Sequence, residues 1–528
     1  MIKSQNIVIV GGGSAGWITA AYLIRTFPQK NITVIESPDI PTVGVGESTL
    51  ADITDFRDYL EIDEKEFMQF TNASYKMSIK FTDFYKKDSG GFHYPFRVPY
   101  LDNTIEGIKD WFYVKAVYPE TDINDFVRSY FPHAALFEKN KITDNKFGFY
   151  ENFSKQSDVA YHFDSVLFGK WLKDRYCIPR GVELIKDTVI DYKLTEQGIE
   201  KLFLKSNREV NGDLFIDCTG FKSLLLEQYM KEPFESFENV LPNNRAWAVQ
   251  IPYKNKSIEL EPFTNCTAIE NGWCWNIPLW SRLGCGYVYS DKFVDKEKAL
   301  DEFKKYLKSE KMIVPRTDQE LDSLDFKDIP IKTGIHTRTW VKNVVAIGLS
   351  ACFIEPLESN GLFSVFWFVE KLAKSILHDE INQWDIDAYN TATRGIFLNF
   401  VEFVALHYAL SRRDDTNYWQ HQTSKTFSPG MVKTEPTITV GFFDLQNKKM
   451  FDIDPSPTAG ITYIATGMNY LLHDPIDVSI IDVRKDVKSH ADEIKRRFDL
   501  KKKKWEMHSA NEITVYEYLK KNIYFENE

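Results

Sequence analysis

Cysteine is scarce and scattered: six residues at 177, 218, 266, 274, 285 and 352, with no CxxC pair. That spacing speaks against zinc-ribbon and thioredoxin-type chemistry. A chain of 528 residues is too large to need disulfide staples, so a reduced, cytoplasmic setting is expected. The ten histidines are equally dispersed, with no HExxH-like spacing, and no metal site is expected. No run of about 18 apolar residues occurs, and the N-terminus, MIKSQNIVIVGGG, enters a buried strand without a leader-like apolar core; no membrane span is expected. Excess basic charge is missing as well. A net charge of −11 gives no support to nucleic-acid or anionic-membrane binding. The one basic run, KRRFDLKKKKW at 495–505, is expected to be a solvated helix face. Fixed-period repeats and low-complexity linkers are not visible.

What is abundant is aromatic: 15% of the chain, which suits either a flat organic ligand or core filling. Three tryptophans, Trp273, Trp275 and Trp280, fall within eight positions of NGWCWNIPLW. The length predicts two or three modules. The first is legible at once. Asn6 to Val10 is an apolar run fit for a strand buried on both faces. It meets Gly11-Gly12-Gly13-Ser14-Ala15-Gly16 and then a helical stretch. Gly11, Gly13 and Gly16 satisfy G-x-G-x-x-G between strand and helix: a tight turn, a close approach of backbone to pyrophosphate, and close helix–strand packing. The helix N-terminus offers unpaired N–H groups to the phosphates. A second strand, Ile32 to Ile35, ends at Glu36, placed to take ribose hydroxyls and to repel a 2′-phosphate.

Two later segments favour FAD over NAD. Leu214 to Gly220 is an apolar strand ending in D-x-T-G around Asp217, and it resembles the strand that returns to the dinucleotide in large FAD-dependent enzymes. Asn343 to Gly348 is another apolar strand, opening through Leu349 into a loop and a long helix. The predicted fold is therefore α/β: a Rossmann-like, FAD-monooxygenase-type module with an inserted mixed sheet and a mainly helical substrate module. Residues 1–90, 155–225 and 335–378 are expected to form the discontinuous FAD-binding module. Residues 91–154 and 226–334 are insertions, and 379–528 a mostly helical, substrate-facing module. Residues 72–82 alternate as one strand, with Tyr75, Met77, Ile79 and Phe81 on one face and Ser74, Lys76, Ser78 and Lys80 on the other.

In order along the chain stand Gly11–Gly16, the loop GVGEST at 44–49, the strand carrying Lys76, Trp273-Cys274-Trp275-Asn276-Ile277-Pro278, and Glu355-Pro356-Leu357-Glu358-Ser359. Together they resemble the flavin-dependent halogenases of the tryptophan-halogenase family, whose signature is W-x-W-x-I-P. The resemblance implies that reduced FAD and dioxygen convert a halide to hypohalous acid. The oxidant then passes through a tunnel to a lysine, and an electron-rich aromatic carbon is halogenated. The matching lysine is Lys76, either as an ammonium that hydrogen-bonds the oxidant or as an amine that forms a haloamine. Glu358 is the matching carboxylate, stabilising the cationic ring and accepting its proton, with Ser359 in support. Cofactor contacts are implied for Gly11, Gly13, Ser14, Ala15 and Gly16, for Glu36, and for Gly46, Glu47 and Ser48 of the second loop. Asp217, Leu349 and Leu362 are implied beside the flavin. A separate reductase is expected to supply reduced FAD, because no second dinucleotide fingerprint is present; a homodimer is left open.

The halide is expected at Asn360 and Gly361, where backbone N–H groups precede a helix. The family usually has Thr then Gly there. Asn360 leaves the halide preference open, with bromide or iodide used as well as chloride. Trp273 and Trp275 are expected on one strand face, as a wall between flavin and substrate chamber. Members acting on free tryptophan hold its amino-acid end with a Tyr-Tyr pair and a Glu. Here Phe442-Phe443 stand nearest and lack the hydroxyls, so an indole, phenol or similar scaffold is expected instead. Tyr94 and Phe96 are expected to hold its ring, with His93 shifted by one from the family's His-x-Phe. An FAD-dependent aromatic hydroxylase is the alternative, and a non-catalytic flavin binder a third reading.

Overall fold

A computed structural model describes residues 2–40, 47–96, 99–100, 109–144, 150–151, 153–156, 158–378, 380–424, 458–469 and 485–525. Phe442-Phe443 and Gly46 lie outside the described residues. The chain divides into two compact units: Met1–Ser74, Tyr161–Ala246 and Asp328–Val401 form the first, and Tyr75–Ala160, Trp247–Lys327 and Glu402–Glu528 the second. Both are therefore discontinuous in sequence. Residues 75–90, grouped with the FAD module by the sequence, cluster with the second unit, and 226–246 with the first.

The first unit is built on a six-stranded sheet in the order Trp340–Val341, Val344–Ala346, Leu214–Asp217, Asn6–Val10, Asn31–Glu36 and Glu183–Lys186. All neighbours run parallel except the first pair. Val10 and Ala346 both pair with Asp217, so three segments more than 100 residues apart in sequence lie side by side. Their apolar runs are what a strand covered on both faces requires: Ile7, Val8, Ile9, Phe215, Ile216, Val344 and Val345 are all buried. The Ser14–Thr26 helix links the Asn6–Val10 and Asn31–Glu36 strands in a βαβ unit and packs against the Asn360–Ser375 helix.

In the second unit, Leu283–Tyr289, Gly272–Pro278, Phe263–Ile269, Ser78–Thr82 and Gly91–Pro95 are consecutive neighbours in one mixed sheet. One face carries Cys274, Cys285, Tyr287 and Tyr289 against Ala299, Phe303 and Leu307 of the Lys296–Lys308 helix. That helix begins at Asp295, whose side chain accepts from the Lys298 N–H as an N-cap. The basic run lies in the Lys485–Ser509 helix and is interleaved with acids: Arg496 and Arg497 pair with Glu493, Lys502 with Asp125 and Asp499, and Lys504 with Glu151. All six cysteines are buried and unbridged, and burial pushes the Cys285 and Cys352 thiols up to about 12. Among the described residues no helix is long and apolar enough to cross a membrane.

The 72–82 stretch differs from its expectation. It is two strands, Ser74–Lys76 and Ser78–Thr82; the first is buried on both faces, and in the second Ser78, Ile79 and Phe81 are buried while Lys80 and Thr82 are half-buried. Met77 marks the break: its N–H donates to the Pro262 carbonyl (2.7 Å) and its carbonyl accepts from the Phe96 N–H (3.1 Å). Alternation predicts one wet face, but that holds only where a sheet is covered on one side.

Candidate active site

The glycine turn of the first unit fits a dinucleotide. Gly11 has φ +119°, and a Cβ there would lie 2.2 Å from the Cys218 carbonyl oxygen. A Cβ at Gly16 would lie 1.9 Å from the Gly11 carbonyl oxygen. The turn and the helix–strand approach therefore both require glycine. Gly13 is the N-cap of the Ser14–Thr26 helix and supplies no side-chain cap, and the first turn holds no acid. The N–H groups of Ser14, Ala15 and Gly16 have no intrahelical acceptor, since intrahelical bonding starts with Trp17 donating to the Gly13 carbonyl, and such groups suit an anionic ligand. The Ser14 hydroxyl itself donates to the Ser165 carbonyl (2.9 Å). Gly348, at φ +72°, packs so closely that a Cβ would meet that of Ala15 at 2.9 Å. The Gly348-Leu349 turn is thus brought to the mouth of this helix, with Leu349 exposed.

Glu36 ends its strand as expected and lies across Gly12, with both carboxylate oxygens facing Lys173 Nζ (3.1 and 3.3 Å). A carboxylate has about four acceptor positions, so a ribose hydroxyl can share it with the ammonium. Lys173, in the helical turn after Trp171, carried no sequence signal. Asp217 departs from expectation. Its Oδ1 accepts from the Thr219 N–H and hydroxyl (3.0 and 2.6 Å), and its Oδ2 from the N–H groups of Leu225 and Leu226 (2.7 and 2.9 Å). Four protein donors saturate it, and it caps the Leu224–Tyr229 turn rather than offering an acceptor to a cofactor.

Glu358 is also in the first unit. Pro356–Glu358 form one 3-10 turn, Ser359 takes φ +55°, and the Asn360–Ser375 helix begins at once. A non-glycine residue held at positive φ costs of order 1–3 kcal/mol, and such strain gathers at functional sites. The sharp turn leaves Glu358 1% exposed. The Ser359 hydroxyl donates to Ser48 Oγ (3.0 Å), joining positions 311 residues apart. Ser48 lies opposite His162 in the pairing of Glu47–Ser48 with Ala160–Phe163, and His162 Nδ1 shares a hydrogen bond with Ser74 Oγ (3.2 Å). Asn360 and Gly361 do not precede the helix; they are its first two residues. The consequence for an anion is the same, because N–H groups of the first turn have no intrahelical acceptor, and neither side-chain cap nor first-turn acid is present. Asn360 is buried, and its Nδ2 has no hydrogen-bond partner among the described residues. A Cβ at Gly361 would meet nothing within 4 Å. Leu362 is buried in the same turn.

The second unit holds the other residues. Lys76 is fully buried, with Nζ 5.0 Å from the centroid of the Phe96 ring. Lys80 is half-buried and lies over Phe263 instead (5.7 Å). The two lysines of one alternating stretch are thus distinguished by packing. Tyr94 meets Phe403 and Tyr463 edge-on, at 6.1 and 5.6 Å. Tyr463, from the Thr458–Gly467 helix, went unnoticed in the sequence because nothing local marks it. His93 points the other way. Its Nδ1 is hydrogen-bonded to Ser78 Oγ (3.0 Å), and burial, with Lys80 and Arg128 nearby, holds it well below the usual histidine range. It is a core histidine.

Strand register puts Trp273 and Trp275 opposite Ala268 and Cys266, on the sheet face away from the Cys274–Tyr287 core. Gly286 lies directly across from Trp275, and a Cβ there would fall 2.0 Å from the indole ring. Gly286→Ala is therefore expected to displace that indole and cost about 1–3 kcal/mol by overpacking, read as a lower urea midpoint and a changed tryptophan emission. Trp280 is elsewhere, stacked on Tyr524 (4.3 Å, 3°), and serves packing.

The tryptophan halogenase family profile matches residues 6–453. The tryptophan 6-halogenase SttH of Streptomyces toxytricini is 34% identical over 464 residues, 84% of this chain and 85% of its own. The apo structure of VirX1 superposes with a TM-score of 0.89 at 33% identity, over 100% of both chains. BrvH, a flavin-dependent halogenase from Brevundimonas sp. BAL3, superposes with a TM-score of 0.82 at 28% identity, over 98% of this chain and 99% of its own. A glycine turn shaped for a dinucleotide, the W-x-W-x-I-P strand and a buried lysine thus occur in a chain that belongs to the tryptophan halogenase family of flavin-dependent enzymes.

Proposed function

We propose that this chain halogenates an electron-rich aromatic such as an indole or phenol, with Lys76 delivering the halogen and Glu358 taking the ring proton. The supporting observation is Lys76 itself: lysine is almost never fully buried unless something holds it there, and here its ammonium lies against an aromatic ring. The first unit is the FAD module, with Gly11–Gly16 on the pyrophosphate and Glu36 on the ribose. The second unit is the substrate-facing module. Bound as FADH2, the cofactor supplies, with dioxygen, the two-electron oxidation that turns halide into hypohalous acid.

The residues of the chain do the rest. N–H groups of Asn360 and Gly361, at the positive end of a helix, hold the halide, and the buried Asn360 amide presents N–H donors where threonine would present a hydroxyl. The Lys76 ammonium donates to the oxidant's oxygen and makes its halogen more electrophilic. As the ring carbon bonds to the halogen, the halogen–oxygen bond breaks, and the departing hydroxide takes a proton from the Lys76 ammonium and leaves as water; the ring proton, once on Glu358, restores the balance when Lys76 is reprotonated. Glu358 stabilises the ring cation and accepts its proton. Ser359, tied to Ser48, positions Glu358. Tyr94 and Phe96 hold the substrate ring.

A panel of indoles and phenols, each given chloride, bromide and iodide with chemically reduced FAD, tests this reading. Mono-halogenated products on panel members in preference to free tryptophan are expected, and halogenation of free tryptophan alone would refute the substrate class. A separate reductase supplies FADH2. The purified protein with NADH and FAD is expected to turn over negligibly until a reductase is added, as followed by NADH absorbance.

A further inference from the structure

The Trp273 and Trp275 rings stand with centroids 6.1 Å apart at 57°, on one sheet face. They are 0% and 6% exposed, and neither indole N–H has an acceptor among the described residues. Other buried tryptophans do find one. Trp340 donates to the Lys342 carbonyl (2.8 Å), Trp419 to the Ile269 carbonyl (2.7 Å) and Trp505 to Glu151 (2.6 Å). A buried donor left unpaired carries its full desolvation penalty. Trp17 carries that penalty alone on its helix; Trp273 and Trp275 carry it twice on one strand. A barrier required only for bulk would be served as well by phenylalanine or leucine, without the penalty. The N–H groups ask for a small acceptor that visits and leaves.

We propose that the paired indole N–H groups of Trp273 and Trp275 hydrogen-bond hypohalous acid on its way to Lys76, retaining the oxidant as well as excluding the organic substrate. This rests on the function proposed above. Hypohalous acid has lone pairs on oxygen and halogen, is small enough to pass aromatic walls, and is lost to bulk solvent unless something holds it. Two donors on one rigid strand retain it without any group that it protonates. Gly286 belongs to the same device, because the Trp275 ring lies where any side chain at 286 would stand.

The test separates N–H from bulk. Trp273→Phe, Trp275→Phe and the double variant are compared with a protein carrying β-(3-benzothienyl)alanine at both positions, which keeps the indole's size and lacks its N–H. Each is given reduced FAD, bromide, an aromatic substrate and a bulk 1,3-diketone that captures escaping oxidant. Losing both hydrogen bonds is expected to lower halogenated product per FADH2 about tenfold. Captured oxidant should rise to match, with FAD affinity and halide KM unchanged. Unchanged product per FADH2 in the benzothienyl protein overturns the proposal, as does a defect confined to halide KM. If the wild type itself makes no halogenated product, the functional reading falls first and this inference with it.

Discussion

Lys76→Ala is expected to yield no halogenated product above background while binding FAD as the wild type does. The loss follows from what the ammonium does. One preorganised donor at developing charge in a buried site is worth on the order of 10²–10³-fold in rate. In the proposed mechanism Lys76 also fixes where the oxidant is used, so the loss should reach or exceed that range. FAD binding should survive, because the glycine turn and Glu36 belong to the first unit and Lys76 to the second. Removing a buried side chain also leaves a cavity, so Lys76→Met, which keeps most of the volume, is the second variant. It should fold normally and be as inactive as alanine. Lys76→Arg keeps the charge but replaces a compact ammonium with a planar fork, and it too should be severely impaired. Product mass spectrometry and flavin fluorescence titration check all three. Undiminished brominated product from the methionine variant would refute the assignment.

Glu358→Gln is expected to slow substrate halogenation on the order of 10²–10⁴-fold, the usual contribution of a positioned acid or base. The amide is nearly isosteric with the buried carboxylate and keeps its hydrogen-bonding shape, so the turn through Pro356–Glu358 and the strained Ser359 should stand. What is lost is the negative charge that steadies the ring cation and the site for its proton. Oxidant production should continue, since halide and flavin are served by other residues. The variant therefore should still brominate a bulk 1,3-diketone while its aromatic product collapses. If product and captured oxidant fall together, Glu358 acts in oxidant formation and not at the substrate.

The strands of the dinucleotide module were legible even across long separations, and most distant side-chain pairings were not. A strand, three spaced glycines and a helix make one physical object, and Gly11 and Gly16 meet the contacts that their spacing implies. Residues 214–217 and 344–346 could be placed beside residues 6–10 because a parallel strand buried on both faces reads as an unbroken apolar run. Alternation at 72–82 marked strand but not the break at Met77 or the burial of Lys76, because period alone does not report what covers the second face. Lys76 and Lys80 are equivalent by period. Burial and ring partner distinguish them, Lys76 fully buried against Phe96 and Lys80 half-buried over Phe263, and the family resemblance stood in for those contacts. Asp217 sat in the right motif, yet its oxygens meet Thr219, Leu225 and Leu226, which a D-x-T-G pattern does not show. Lys173 on Glu36, Ser48 on Ser359, His162 on Ser74 and the absent side chain at Gly286 join positions up to 311 residues apart. A single sequence holds no signal for such pairs.

The most direct measurement is product mass as a function of halide. Protein, chemically reduced FAD, dioxygen and one reactive indole or phenol are combined with bromide from zero to saturation. Brominated product should rise with bromide from zero, with no oxygenated aromatic at any concentration. An oxygenated product that forms without bromide and persists as bromide rises would contradict the account.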